Sequence, residues 1–143
     1  MKIKKFTFNS FQENTYIVSS NNECMIIDPG CTDQNEKGEI VNYISKNKLH
    51  PIELINTHCH LDHIFGNHLI ANTYNLIPKM HEKDLPLLNK AIEIDPEYFD
   101  AYFCRGNSKA AIGDNHGAIK DYTKAIEIEP NNISALHNLA TAC

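Results

Sequence analysis

No apolar run in this 143-residue chain approaches the ~20 residues that a bilayer-spanning helix needs, so a membrane span is not expected. Met1-Lys2-Ile3-Lys4-Lys5 makes a positive start, but no apolar stretch follows it, which argues against a secretory leader. No basic cluster is present. With 13 Lys and Arg against 18 Asp and Glu, the net charge of −5 makes nucleic acid and anionic membrane poor partners. The cysteines at 24, 31, 59, 104 and 143 form an odd, scattered set without a C-x-x-C pair, and reduced thiols in a cytoplasmic protein account for them. What is present is ordinary for a soluble globular protein, with 42% hydrophobic and 22% charged residues, and the length suits one domain or two small ones.

Residues 3–8, 15–19 and 24–28 are short β-rich runs separated by Asn- and Ser-containing turns such as Ser20-Asn21-Asn22, and they read as three consecutive antiparallel strands. Asp28-Pro29-Gly30 stops the third. Ile40, Val41, Tyr43 and Ile44 give residues 35–46 the apolar stripe of a helix. Pro51 opens a further strand over 52–56, which delivers Thr57-His58-Cys59-His60-Leu61-Asp62-His63. Extended backbone sends alternate side chains to opposite sides, so His58 and His60 project together while Cys59 and Leu61 project away. Two imidazoles, a carboxylate and a third imidazole converging on one point are donors for a zinc-type ion. A metal held there lowers the pKa of a bound water to about 7 and furnishes a nucleophile. A helix begins at Asp62 with Ile64, Leu69 and Ile70 turned inward, and a loop and short strand follow over 73–77.

The stretch His58-x-His60-x-Asp62-His63, with Thr57 before it and Gly66-Asn67 after it, resembles the metal motif of metallo-β-lactamase-fold hydrolases. Glu13-Asn14-Thr15-Tyr16-Ile17-Val18 and Ile26-Ile27-Asp28-Pro29-Gly30 are similar to the same family's second strand and the turn after its third. By pattern the small hydroxyacylglutathione-hydrolase-like members come nearest. The resemblance runs from Met1 to about Leu88 and covers only the first half of such a domain. It implies that His58 and His60 serve one zinc and Asp62 and His63 another. Asp62 also orients the attacking water, while Asp28 and Thr57 brace the loop from behind. A further histidine, a bridging carboxylate and a last histidine come from the family's second half, so each ion here keeps two protein ligands. His68, His81, His116 and His137 read as surface residues and offer no substitutes.

Beyond Leu88 the pattern changes. Lys90-Ala91-Ile92-Glu93-Ile94-Asp95-Pro96 recurs as Lys124-Ala125-Ile126-Glu127-Ile128-Glu129-Pro130, a period of 34 residues. Tyr102, Gly106, Ala118, Tyr122, Ala125 and Pro130 fall where a tetratricopeptide repeat has its signature residues, and the resemblance covers about Lys90 to Cys143. One full repeat spans 99–132, with Gly113-Asp114 as its internal turn and partial repeats on both sides. No Gly/Ser/Pro-rich linker separates the two segments; Asp84-Leu85-Pro86-Leu87-Leu88 opens a helix that runs on through Ala91. The expected organisation is therefore an α/β segment, 1–89, half of an αββα sandwich, followed by an all-α helix–turn–helix segment, 90–143.

The resemblance implies a zinc-dependent hydrolase of ester or thioester substrates, with an incomplete site and little turnover. Two alternatives stand beside it. One is a protein-interaction module whose groove is lined by Asp100, Phe103, Asn107, Ala110 and Asn138. The other is a non-functional chimera of two reading frames. A sheet that normally packs against a second half is also expected to leave an apolar face open and to favour self-association.

Overall fold

The computed structural model describes residues 1–143 and gathers the β-rich runs into one five-stranded sheet of order β1-β2-β3-β4-β5. The strands are β1 (Lys2–Phe8), β2 (Glu13–Ser20), β3 (Glu23–Ile27), β4 (His50–Ile55) and β5 (Pro78–Lys79). β1, β2 and β3 pair antiparallel, and β4 and β5 are added in parallel. Asn21 and Asn22 form the tight turn between β2 and β3 with φ of 51° and 67°. Asparagine tolerates this left-handed backbone, and its twist matches that of the hairpin. Where the sequence predicts a strand opening at Ile52, β4 begins at His50. Pro51 lies opposite Cys24, where the register shifts, and an irregularity of this kind tolerates a residue with no N–H to offer.

Alternation along the strands sorts the sheet's two faces. Ile17, Ile26 and Leu54 are fully buried on one face, where α1 (Gln34–Lys46) contributes Ile40 and Ile44 to the same core. Asp33 starts α1 by accepting from the N–H groups of Asn35 and Glu36. On the other face Tyr16, Val18, Met25, Ile27 and Ile55 are half-buried, so the apolar face expected to be open is only partly so.

The helix predicted from Asp62 is two helices, α2 (Leu61–Ile64) and α3 (Asn67–Tyr74). The break has a physical cause. The Gly66 N–H donates to the Pro29 carbonyl at 2.7 Å, and a Cβ on Gly66 would run into that carbonyl and the Cys31 thiol. The chain thus docks on the Asp28-Pro29-Gly30 turn before resuming helix. α3 runs through Thr73, and the following strand is only Pro78–Lys79, later than the sequence suggests.

Four helices complete the chain: α4 (Leu85–Ile94), α5 (Phe99–Ala111), α6 (Asn115–Ile128) and α7 (Ile133–Ala142). α4 passes unbroken through Leu88, Asn89 and Lys90, with Pro86 in its first turn, where no donor is needed. Gly113, at φ 84°, turns the chain between α5 and α6, and Asp114 caps α6 by accepting from the Gly117 N–H. Gly106 lets the two helices close: a Cβ there would lie 2.6 Å from the Tyr122 ring. Across the same interface Asp121, itself buried, takes Arg105 at 2.7 Å and Lys109 at 2.8 Å.

The helices and the sheet share one core, in which Ile17, Ile26, Leu54 and Ile70 belong to the same cluster as Phe99, Phe103 and Tyr122. α3 forms the seam. The ring of His68 lies 3.0 Å from Asp100, the Asn67 amide donates to Cys104 Sγ at 3.1 Å, and Asn72 Oδ1 accepts from the Ser134 N–H at 3.1 Å. His68 is therefore a correction to the sequence reading, which places it in solvent. Burial works against its imidazolium, but the charge and hydrogen bond of Asp100 outweigh that and hold its pKa above the usual range. Of the residues read as the lining of an open groove, Asp100 and Phe103 are buried because α5 turns them toward α3, whereas Asn107, Ala110 and Asn138 border a cleft between β5 and the inner face of α5 and α7. His81, His116 and His137 are exposed, as predicted.

Candidate metal centre

β4 delivers the histidine loop, and hydrogen bonds hold it at both ends. The Asn56 N–H donates to the Lys79 carbonyl at 2.8 Å, and its side-chain amide donates to the His63 carbonyl at 3.0 Å. Asn67 in turn donates to Asn56 Oδ1 at 2.8 Å. Between these anchors the side chains alternate. Cys59 turns into the core against Met80, while the His58 and His60 rings come together with centroids 4.6 Å apart. The start of α2 and the turn after it bring His63 to 4.0 Å from His58 on the same measure, and put its Nε2 3.7 Å from the Asp62 carboxylate. The structure thus gathers His58, His60, Asp62 and His63 at the C-terminal end of β4.

Asp28 anchors the loop from beneath. It is buried, holds a left-handed φ of 49°, and accepts the Thr57 N–H at 2.7 Å and the Thr57 hydroxyl at 2.6 Å. Because the Thr57 proton goes to Asp28, Thr57 Oγ1 is left to accept from His58 Nδ1, 3.0 Å away. That bond puts the His58 proton on Nδ1 and leaves Nε2 with a free lone pair, the form that ligates a metal. Burial, and then the neighbouring rings of His63 and His60, push the His58 pKa below its usual range, which also favours the neutral ring.

Sequence reasoning missed Glu13 as a site residue. It stands on β2 with its side chain fully inaccessible, and Oε1 lies 3.7 Å from His63 Nδ1. Burial raises its pKa to about 8; the hydrogen bond with Thr15 opposes the rise, and the charges of Asp28 and Asp62 add to it. The available signal was parity, since Glu13 shares the buried phase of Thr15 and Ile17. The loop before β2 also reaches the site: Asn9 donates to the carbonyls of Gly30 and Asp62, at 2.9 and 3.3 Å.

The chemistry of these residues, imidazole and carboxylate, suits a metal cation. Three imidazoles and the Asp62 carboxylate are neighbours on one loop, but the donor atoms that lie within 4.8 Å of one another are those of Glu13, Asp28 and His63, and His58, His60 and Asp62 stand outside that group. Two buried atoms of that inner group, Glu13 Oε1 and His63 Nδ1, have no hydrogen-bond partner, which is costly unless binding completes the arrangement.

A family profile described as the Metallo-beta-lactamase superfamily matches residues 9–136. A "Probable metallo-hydrolase YqgX" of Bacillus subtilis is 29% identical over 84 residues, covering 59% of this chain and 38% of that protein. An "Uncharacterized protein ML0493" of Mycobacterium leprae is 28% identical over 86 residues, with the same two coverages. Among solved structures, the BLEG-1 B3 metallo-beta-lactamase superposes with a TM-score of 0.54 at 24% identity, covering 61% of this chain and 40% of that one, a likeness of fold. The matched region spans about two-fifths of the length of each of these proteins.

Proposed function

As the chain belongs to the metallo-beta-lactamase superfamily, we propose that its histidine loop is the ligand-bearing part of a zinc-dependent hydrolase centre of the hydroxyacylglutathione-hydrolase type. The proposed substrate class is esters and thioesters. The observation that carries this reading is the gathering of three imidazoles and Asp62 at the end of β4. Bound there, zinc supplies Lewis acidity toward a carbonyl and toward water. The chain's own residues do the rest. Thr57 and Asp28 fix the His58 tautomer, and His58, His60, His63 and Asp62 would supply the nitrogen and oxygen donors that hold the ion. Asp62, partly exposed beside His63, is placed to accept a hydrogen bond from the attacking water and so orient it.

With two of these side chains for each of two ions, turnover by this chain alone is slow. Hydrolysis of simple thioesters by the purified chain should rise on adding zinc, disappear with chelator, and be absent from His58→Ala/His60→Ala. Turnover indifferent to chelator would overturn the assignment.

A second reading concerns residues 90–143 as a tetratricopeptide-type segment that binds a protein partner. In its favour, α4 and α6 end alike at a spacing of 34 residues. The Asp95 N–H donates to Ala91 O at 2.9 Å and the Glu129 N–H to Ala125 O at 2.8 Å. A cleft of about 610 Å³ also opens between β5 and the inner face of α5 and α7, where the Asn107 amide nitrogen and the Ser108 hydroxyl are buried without partners.

A further inference from the structure

We propose that Glu13 is a positioning residue for His63, accepting a hydrogen bond from Nδ1–H so that Nε2 is presented to the metal; this rests on the metal-site reading above. Asp28 lies nearer to His63 Nδ1, at 3.2 Å, yet the two make no hydrogen bond, and that nitrogen is buried without a partner. Both Asp28 oxygens accept from Thr57, at 2.7 and 2.6 Å, which fixes the direction of the carboxylate. The carboxyl oxygen on the same side with nothing to accept is Glu13 Oε1, 3.7 Å away and likewise unpartnered. Two complementary orphan atoms face each other across a gap that a small swing of the imidazole closes. Leaving a buried donor and acceptor unpaired is costly, so the closed arrangement is the favoured one once the ring is drawn to a ligand.

The surroundings hold Glu13 for this role. Oε2 lies 3.1 Å from the Thr15 hydroxyl, whose one proton is shared between Oε2 and the Asp28 carbonyl at 2.8 Å, and which accepts from the Gly30 N–H at 3.0 Å. One hydroxyl thus joins the Glu13 carboxyl to the turn that carries Asp28. Gly30 is part of the same device: a Cβ there would strike the Glu13 carboxyl and come within 2.7 Å of the Asp62 carbonyl. Oε1 can accept that hydrogen bond whether or not Oε2 carries a proton, so the arrangement needs an oxygen at this place rather than a charge.

The test compares Glu13→Met, which removes the oxygen at similar size, with Glu13→Gln, which keeps one. Nitrogen-15 NMR of the metal-free chain reads the His63 tautomer, zinc titration reads affinity, and thermal melting confirms folding. Glu13→Met should convert His63 from the Nδ1–H form to a mixture and weaken zinc binding by about 10- to 100-fold, the range for outer-sphere partners of ligating histidines. Glu13→Gln should restore both. A folded Glu13→Met chain with the wild-type tautomer and affinity would overturn the proposal. If Glu13→Met does not fold, Glu13→Asp draws the oxygen back by one methylene and must show the same tautomer shift. If the wild-type chain binds no zinc, the metal reading fails, and the metal-free tautomer still decides the role of Glu13.

Discussion

Asp28→Asn should weaken zinc binding by about 10- to 100-fold, as expected for the loss of an outer partner of ligating histidines, with little change in folding. Asparagine suits the left-handed backbone that Asp28 adopts, so the turn survives. Its carbonyl oxygen can still take the Thr57 N–H. The other position then carries an amide, which donates where the carboxylate accepted. Thr57 Oγ1 loses its acceptor at 2.6 Å and is no longer committed to receive from His58 Nδ1, so the tautomer of His58 is freed. One substitution therefore unsettles His58 through Thr57. Zinc titration of the folded variant reads the effect, and an affinity equal to wild type would show that Asp28 shapes the turn and nothing more.

Phe103→Ala should cost about 3–5 kcal/mol, the usual range for removing a buried ring. Total stabilities of domains this size are about 5–15 kcal/mol, so the loss is a large fraction of the whole. Phe103 is wholly inaccessible, stacks on Phe99 at 5.5 Å, and lies 6.4 Å from Tyr122 across the helix pair. Phe99 in turn packs edge-on to His68, whose pairing with Asp100 joins α5 to α3. A cavity here opens at the seam between helices and sheet. Urea unfolding followed by far-ultraviolet circular dichroism and by the backbone amide NMR signals of β1 to β4 should shift to lower midpoint in both together, because the two parts share a core. Helical signal lost well before the strand signals would indicate that the helices fold apart from the sheet.

The proximity of the His58 and His60 rings was legible because they stand on one extended segment, which fixes which side chains face one another without knowledge of the rest of the fold. The Asn21-Asn22 turn, the antiparallel β1–β3 unit and the continuity of α4 through Leu88 to Lys90 are local in the same sense. What escaped depends on distant partners. Glu13 acquires its role from His63, fifty positions on, and in sequence is one carboxylate at the start of a strand. His68 reads as a surface residue until Asp100, 32 positions away, is placed beside it. The break between α2 and α3 likewise comes from the contact of Gly66 with Pro29, since nothing in the local pattern stops a helix at Phe65. The inner face of α5 holds Phe103 and Asn107 at helical spacing, a pattern shared by an open groove and a packed seam. Tertiary contact decides between them, and it made most of that face a seam.

The central claim is that the loop from His58 to His63 binds zinc. The most direct measurement is zinc stoichiometry and affinity of the purified chain, set against His58→Ala/His60→Ala. The account predicts at least one bound ion in the wild-type chain, removed by chelator and lost in the double variant while its melting profile remains cooperative. A wild-type chain that holds no zinc, or a double variant that holds as much, would contradict it.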